Sequence, residues 1–252
     1  MNSSSPVLFG AEAFLIERGP IGILLSHGFN ATPQSVRTVG EQFAAQGFTV
    51  YAPRLDGHGT SIRDFEASTA EDWKQSLRQG FDVLTNHCSS IFIAGQSMGA
   101  TLALALVAEG LPADGLITIN AALAIPAYEA LSFEDCPRYL KESTPDIKRE
   151  AFEIIYDQVP VVCASELLTL IDQTRPLLPA IEIPTLILYS AEDHVVPPES
   201  SDYLYQVIGA TDKRSYCLLD SYHVATLDYD QEAIVREATH FVHQYSRLTH
   251  TG

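Results

Sequence analysis

The sequence predicts an α/β protein with a mostly parallel central sheet, helices on both faces and an inserted helical cap. Two patterns carry that expectation. Short apolar or β-branched runs alternate with longer amphipathic stretches, the order that builds strand–helix–strand units. One stretch of about 60 residues then breaks the alternation, too long for a structureless loop in a compact domain and therefore an insertion with helices of its own. The 252 residues, 46% hydrophobic and 19% charged, suffice for one sizeable core and exclude disordered, collagen-like and coiled-coil classes.

Strands are expected at residues 14–17, 21–26, 48–51, 91–94, 116–119, 185–189 and 215–219, where β-branched and aromatic residues cluster between turn signals. Helices are expected at 35–46, 69–86, 98–109 and 199–208, with a long terminal one from about 231 to 247. The interrupting segment, 121–183, shows helical periodicity punctuated by prolines and no clear strand. The expected organisation is one structural domain: residues 1–120 and 184–252 form the core and 121–183 the cap. In such a sheet, ligands bind beyond the carboxyl ends of the strands.

Fifteen basic against 32 acidic residues give a net charge of −17, which repels nucleic-acid phosphates and anionic lipid headgroups and so excludes those partners. No basic segment leads into a long apolar run at Met1-Asn-Ser-Ser-Ser-Pro, and no run of apolar residues is long enough to span a bilayer, so a cytoplasmic location is expected. Cys88, Cys136, Cys163 and Cys217 lack metal-site or disulfide spacing; they are expected to be free thiols, mostly buried. No metal or other cofactor is expected.

The sharpest local signal is Gly95-Gln96-Ser97-Met98-Gly99, between the strand run 91–94 and the helical run that follows. A strand turning abruptly into a helix leaves no room for Cβ atoms around it and exposes a strained serine at a helix N-terminus, which favours a developing oxyanion. Serine needs a base to take its proton, and that base needs a carboxylate to orient it. Of the downstream histidines, His240, His243 and His250 fall in or beyond the terminal helix and read as a solvated face. His223 follows the last strand on a loop at the serine's edge of the sheet and is the expected base. The loop after strand 185–189 offers Glu192 and Asp193; Asp193, before Val195-Val196-Pro197-Pro198, is the expected acid, with Glu192 and His194 facing solvent or packing the loop. The preceding strand leads to Asn120, which is neutral and closes the alternative route to an acid there. Asp220, Asp228 and Asp230 compete with Asp193. Oxyanion donors are expected from the backbone N–H groups of Met98 and of Phe29, in Ser26-His27-Gly28-Phe29. His27 and His58 read as loop-holding residues.

These residues together make the chain resemble an α/β-hydrolase, and more narrowly the bacterial monoacylglycerol lipase and carboxylesterase family. The resemblance runs nearly end to end. It rests on His27-Gly28-Phe29, Pro53-Arg54-Leu55 with Gly57-His58-Gly59-Thr60, the Gly95–Gly99 motif, Ile119-Asn120-Ala121-Ala122, Asp193-His194-Val195-Val196-Pro197-Pro198, and the run from Ser221-Tyr222-His223 to Asp230-Gln231. The resemblance implies the same triad of Ser97, Asp193 and His223 and the same oxyanion donors. It also implies hydrolysis of monoacylglycerols, with a cap that encloses the acyl chain and a small polar pocket for the glycerol hydroxyls. Glu153, in Glu153-Ile154-Ile155-Tyr156, is the implied alcohol-side contact, with Asn120 a second candidate for substrate binding; the competing reading of Glu153 is a solvated helix face beside Glu150. Gln96 and Ala100 depart from the Leu and Gly common at those positions.

The same triad serves a general short- to medium-chain carboxylesterase, and a third reading of a different class is a ligand receptor of this fold with a slow triad. The expected partner is a small lipid ester, without stable membrane insertion; oligomeric state is not legible. An apolar cap rim of Leu131, Phe133, Tyr139 and Leu140 suggests transient contact with lipid aggregates, against which stands simple core packing.

Overall fold

Alternation along the strands sets the layers. In the run 21–26, Ile23 and Leu25 point to one side of the sheet and Leu24 to the other; in 90–96, Phe92 and Ala94 oppose Ile91 and Ile93. Two cores result, one on each face. A computed structural model describes residues 5–142 and 144–247; His250 lies outside the described residues.

The chain runs β1 (Phe14–Ile16), β2 (Ile21–Ser26), α1 (Gln34–Ala45), β3 (Thr49–Ala52), α2 (Ile62–Ala67), α3 (Ala70–Thr85), β4 (Ser90–Gln96), α4 (Met98–Ala108) and β5 (Gly115–Ile119). After these come α5 (Pro126–Glu129), β6 (Tyr139–Lys141), β7 (Gln158–Pro160), α6 (Val161–Thr174), a 3-10 turn (Arg175–Ala180), β8 (Thr185–Ser190), α7 (Glu199–Val207), β9 (Lys213–Leu218), a second 3-10 turn (Ala225–Leu227) and α8 (Gln231–Tyr245). The main sheet has seven strands in the order β1-β3-β2-β4-β5-β8-β9, with β1 antiparallel to β3 and every other pairing parallel. The chain moves outward from β2 to β3, then returns past β2 to β4. The crevice for a ligand is therefore expected where β2 and β4 end.

One core packs α3, α4 and α6 against the sheet around Trp73, Leu77 and Leu102; the other packs α1 and α8 around Val36, Phe43 and Phe241. Helix α4 is buried on almost every side, so it carries no polar stripe, and its leucines each contribute about 2 kcal/mol by leaving water. Helix α3 opens with a reciprocal capping box, Thr69 with Asp72, which fixes its start.

The cap departs from the helical expectation. Among the described residues, only α6 is a long helix there; β6 and β7 form a two-stranded antiparallel ribbon, and residues 144–157 run without regular structure. Three-residue strands are too short to show a period, and Pro160 sits at the ribbon's end, where a missing N–H is tolerated. Helix α2 was not expected either: six residues burying only Phe65 leave no amphipathic repeat to read. The four cysteines are free, but Cys163 alone is buried and the other three are half-exposed, contrary to the expectation that most are buried. Among the described residues, no helix is long and apolar enough to cross a membrane.

Candidate active site

Ser97 stands between β4 and α4 with φ 56° and ψ −122°, a conformation that L-residues rarely adopt. The flanking glycines make it attainable. A Cβ on Gly95 would lie 2.3 Å from the Gly99 carbonyl carbon, and one on Gly99 would lie 2.5 Å from the His27 carbonyl oxygen. The Ser97 N–H donates to the Ile119 carbonyl at 2.9 Å, pinning the turn to the end of β5.

Ser97 Oγ–H faces His223 Nε2 at 2.9 Å, and His223 Nδ1 faces Asp193 Oδ2 at 2.8 Å. The carboxylate fixes the tautomer: Nδ1 carries the proton, leaving Nε2 free to accept from serine. The other oxygen of Asp193 accepts the N–H groups of Val195 and Val196 at 2.9 and 2.8 Å, so the acid is held by its own loop. Of its competitors, Asp228 is fully buried and occupied by backbone N–H groups, and Asp230 accepts from Asp220 N–H and the Ser221 hydroxyl.

The backbone after β2 lies against the serine: a Cβ on Gly28 would stand 3.4 Å from Ser97 Cβ. That brings Phe29 beside the start of α4, where Met98 holds the first helical N–H, a group without an intrahelical partner. His27, fully buried, braces this loop. Its Nδ1–H donates to the Gly28 carbonyl at 2.9 Å and its Nε2 accepts the Leu55 N–H at 3.2 Å. Burial first, and neighbouring His58 second, hold its pKa well below 6.5, so it is a neutral strut. Burial likewise lowers His58 to about 4.

Asn120 does not face the cavity, contrary to the expectation that it binds substrate. Its Nδ2 donates to Ser190 Oγ at 2.9 Å and to the His223 carbonyl at 2.8 Å, and its Oδ1 accepts the Ser190 N–H at 2.7 Å. The amide is used up in joining β5, β8 and the His223 loop. Gln96 Nε2 donates to the same His223 carbonyl at 2.7 Å. Both amides, which sequence reasoning did not assign to the histidine, therefore anchor it; Gln96 was visible there only as a departure within the motif.

Ser97 and His223 open into a cavity of about 350 Å³ roofed by the cap. Ile125, Leu131, Leu140, Val159 and Leu167 supply apolar wall, and Glu142, Asp146 and Glu153 supply acidic wall. Glu153 is not on a solvated helix face, as one reading had it. It lies outside any helix or strand, only 8% exposed, and burial pushes its carboxyl up to about 7, with His223 opposing the rise and Glu142 adding to it. The rim residues resolve in the same way: Leu131 and Leu140 line the cavity, and Tyr139 donates to Glu66 at 2.9 Å. The cap also grips the loop after β2. Asn30, at φ 57°, donates to Glu142 at 2.9 Å and to the Tyr156 carbonyl at 3.0 Å, and accepts the Tyr156 N–H at 3.1 Å. The Tyr156 hydroxyl in turn donates to the Gly57 carbonyl and accepts the Thr60 N–H.

Comparison with known proteins agrees with this fold. The chain is 43% identical over 244 residues to a thermostable monoacylglycerol lipase of Bacillus sp. (strain H-257), covering 96% of this chain and 98% of that protein. It is 26% identical over 238 residues to a carboxylesterase of Bacillus subtilis (strain 168), covering 92% and 96%. A solved structure reported for LipS and LipT, two metagenome-derived lipolytic enzymes, superposes with a TM-score of 0.91 at 40% identity, covering 95% of this chain and all of the other. Residues 21–149 and 147–230 match the hydrolase family described as serine aminopeptidase, S33. With a seven-stranded, mostly parallel sheet and a match spanning most of its length, the chain belongs to that family and has the α/β-hydrolase fold.

Proposed function

We propose that the chain is a serine hydrolase that cleaves monoacylglycerols to fatty acid and glycerol. The observation that carries this reading is the Ser97–His223–Asp193 line opening into a cavity with a long apolar wall and one acidic wall. Ser97 attacks the ester carbonyl while His223 takes its proton; Phe29 and Met98 N–H groups hold the oxyanion; His223 returns the proton to the departing glycerol oxygen. Water, activated by the same histidine, then releases the fatty acid from Ser97. Asp193 holds His223 in the required tautomer. Glu153, close to neutral pH in its titration, faces the glycerol hydroxyls as donor or acceptor. The similarity to a monoacylglycerol lipase over 96% of the chain supports the substrate class.

Phe152, 75% exposed and adjacent to Glu153, is the better candidate for transient contact with lipid aggregates than the rim expected from the sequence. Four free thiols fit a reducing compartment such as the cytoplasm.

The test is fatty-acid release from mono-, di- and triacylglycerols of several chain lengths beside p-nitrophenyl esters, for the wild type and Ser97→Ala. The expected result is turnover of monoacylglycerols, sparing of di- and triacylglycerols, and loss of activity in the variant. Turnover of short soluble esters alone makes the protein a general carboxylesterase. Labelling of Ser97 by a fluorophosphonate without multiple turnovers makes it a receptor with a slow triad.

A further inference from the structure

The cap segment 146–149 is bound to the loops that carry the acid and the base. Asp146 Oδ2 accepts the N–H of His194, the residue after the acid, at 3.1 Å, and the N–H of His223 itself at 3.2 Å. Asp146 Oδ1 accepts the His194 ring Nδ1–H at 2.8 Å, and the Asp146 carbonyl accepts the Val224 N–H at 3.1 Å. Two residues on, the buried Asp228 carboxylate accepts the N–H groups of Lys148 and Arg149 from the cap and of Tyr222 from the base loop, while Arg149 Nε donates to the Leu227 carbonyl. One cap carboxylate thus spans both loops, and its segment is fastened on the far side as well.

We infer that Asp146 is a positioning residue: through the backbone N–H groups of His194 and His223 and the His194 ring, it holds the acid and base loops in register, so that the cap completes the active site. The inference rests on the serine-hydrolase reading above. Without Asp146, two N–H groups lose their acceptor and the His223 backbone is free to shift; misplacement of a reacting group by about 1 Å lowers turnover roughly 100-fold.

The groups facing His194 are Asp146, Glu192 at 3.4 Å from Nε2, and the edge-on ring of Tyr222, with Lys148 Nζ 5.6 Å from that ring. Asp146 first and Glu192 after it hold the His194 pKa above 6.5, so the clamp is charge-assisted in acid and stays so to a higher pH than a free imidazole would allow. In Asp146→Asn, one oxygen still serves both backbone N–H groups. The amide nitrogen then donates to Nδ1 of a neutral His194 but meets only an N–H on a charged one.

The experiment measures kcat and KM for a monoacylglycerol and a p-nitrophenyl ester, and the rate of Ser97 labelling by a fluorophosphonate, from pH 5.5 to 9 in wild type, Asp146→Ala and Asp146→Asn. Asp146→Ala is expected to lose roughly 10- to 100-fold in kcat on both esters and in labelling rate, with KM little changed. Asp146→Asn is expected to be most impaired at low pH and to approach the wild type as His194 loses its proton. Wild-type kcat and labelling in Asp146→Ala, or a rise in KM alone, overturns the inference. If Asp146→Ala does not fold, Asp146→Asn decides: a ratio to wild type that does not change with pH overturns it. Failure of the underlying reading looks different, since Ser97→Ala would then retain activity whatever Asp146 does.

Discussion

Glu153→Gln should stabilise this protein above neutral pH and leave it unchanged in acid. The Glu153 side chain is 8% exposed, and burial raises its carboxyl from 4.5 to about 7. In the unfolded chain the group releases its proton near 4.5; in the native state it keeps the proton until about 7. Between those values the native protein binds more protons than the unfolded one, so stability falls as pH rises through the window and levels off above it. The gap corresponds to about 3 kcal/mol, at roughly 1.4 kcal/mol per pH unit. Glutamine keeps the shape and polarity without the ionisation. Urea unfolding at pH 4.5 and pH 8 is the assay: wild type and variant should coincide at the lower pH, and the variant should exceed the wild type by up to about 3 kcal/mol at the higher. An equal difference at both pH values would refute the reasoning, because Glu153 would then titrate as an ordinary carboxylate. The same variant should raise KM for monoacylglycerol more than for a p-nitrophenyl ester, since only the former presents hydroxyls to Glu153.

Asp193→Asn should lower kcat by about three to four orders of magnitude, through a wrong His223 tautomer, with little change in thermal midpoint; near wild-type turnover would remove Asp193 from the acid's role. Gly99→Ala should abolish soluble expression or activity, since its Cβ would stand 2.5 and 2.6 Å from the His27 and Ser26 carbonyl oxygens; a folded, active variant would show that the elbow can relax. His27→Ala should cost about 1–3 kcal/mol in urea unfolding, because the Leu55 N–H loses its buried acceptor. If unfolding is unchanged, His27 is not the strut its hydrogen bonds describe.

Strands β2, β4, β5 and β8 were legible because each is a run of β-branched and apolar residues buried on both faces, a signal that local composition alone carries. The juxtaposition of Ser97, Asp193 and His223 was legible for a related reason: parallel strands deliver the loops after β4, β8 and β9 to one edge, so chain order nearly determines which residues meet. The cap was not legible. Its ribbon pairs residues 139–141 with 158–160 across a segment without period, and its hold on the core is made of single side chains, Asn30, Asp146 and Asp228, meeting backbone N–H and C=O groups. Polar contacts of that kind have no periodicity and depend on separations of tens of residues. Asn120 shows the converse: sitting in a motif near the serine suggested substrate contact, whereas its neutral amide fills a structural gap between β8 and the His223 loop.

The positive-φ residues other than glycine among the described residues, Asn30, Ser97 and Asn120, follow β2, β4 and β5 in turn, all at the site's edge of the sheet. Each strained turn is held by a side chain reaching to another loop: Asn30 to the cap at Tyr156, Ser97 to His223, and Asn120 to Ser190 and the His223 carbonyl. Strained conformations persist only where surrounding contacts over-determine them, and here the cap supplies such a contact at Asn30 while its Asp146 accepts the N–H of His223, to which the other two are tied. The cap is therefore a structural member of the active site as well as the roof of the cavity. Shortening it would be expected to loosen the triad and lower kcat on every ester, including small ones that need no acyl tunnel, whereas a cap that only selected substrates would leave turnover of small esters untouched.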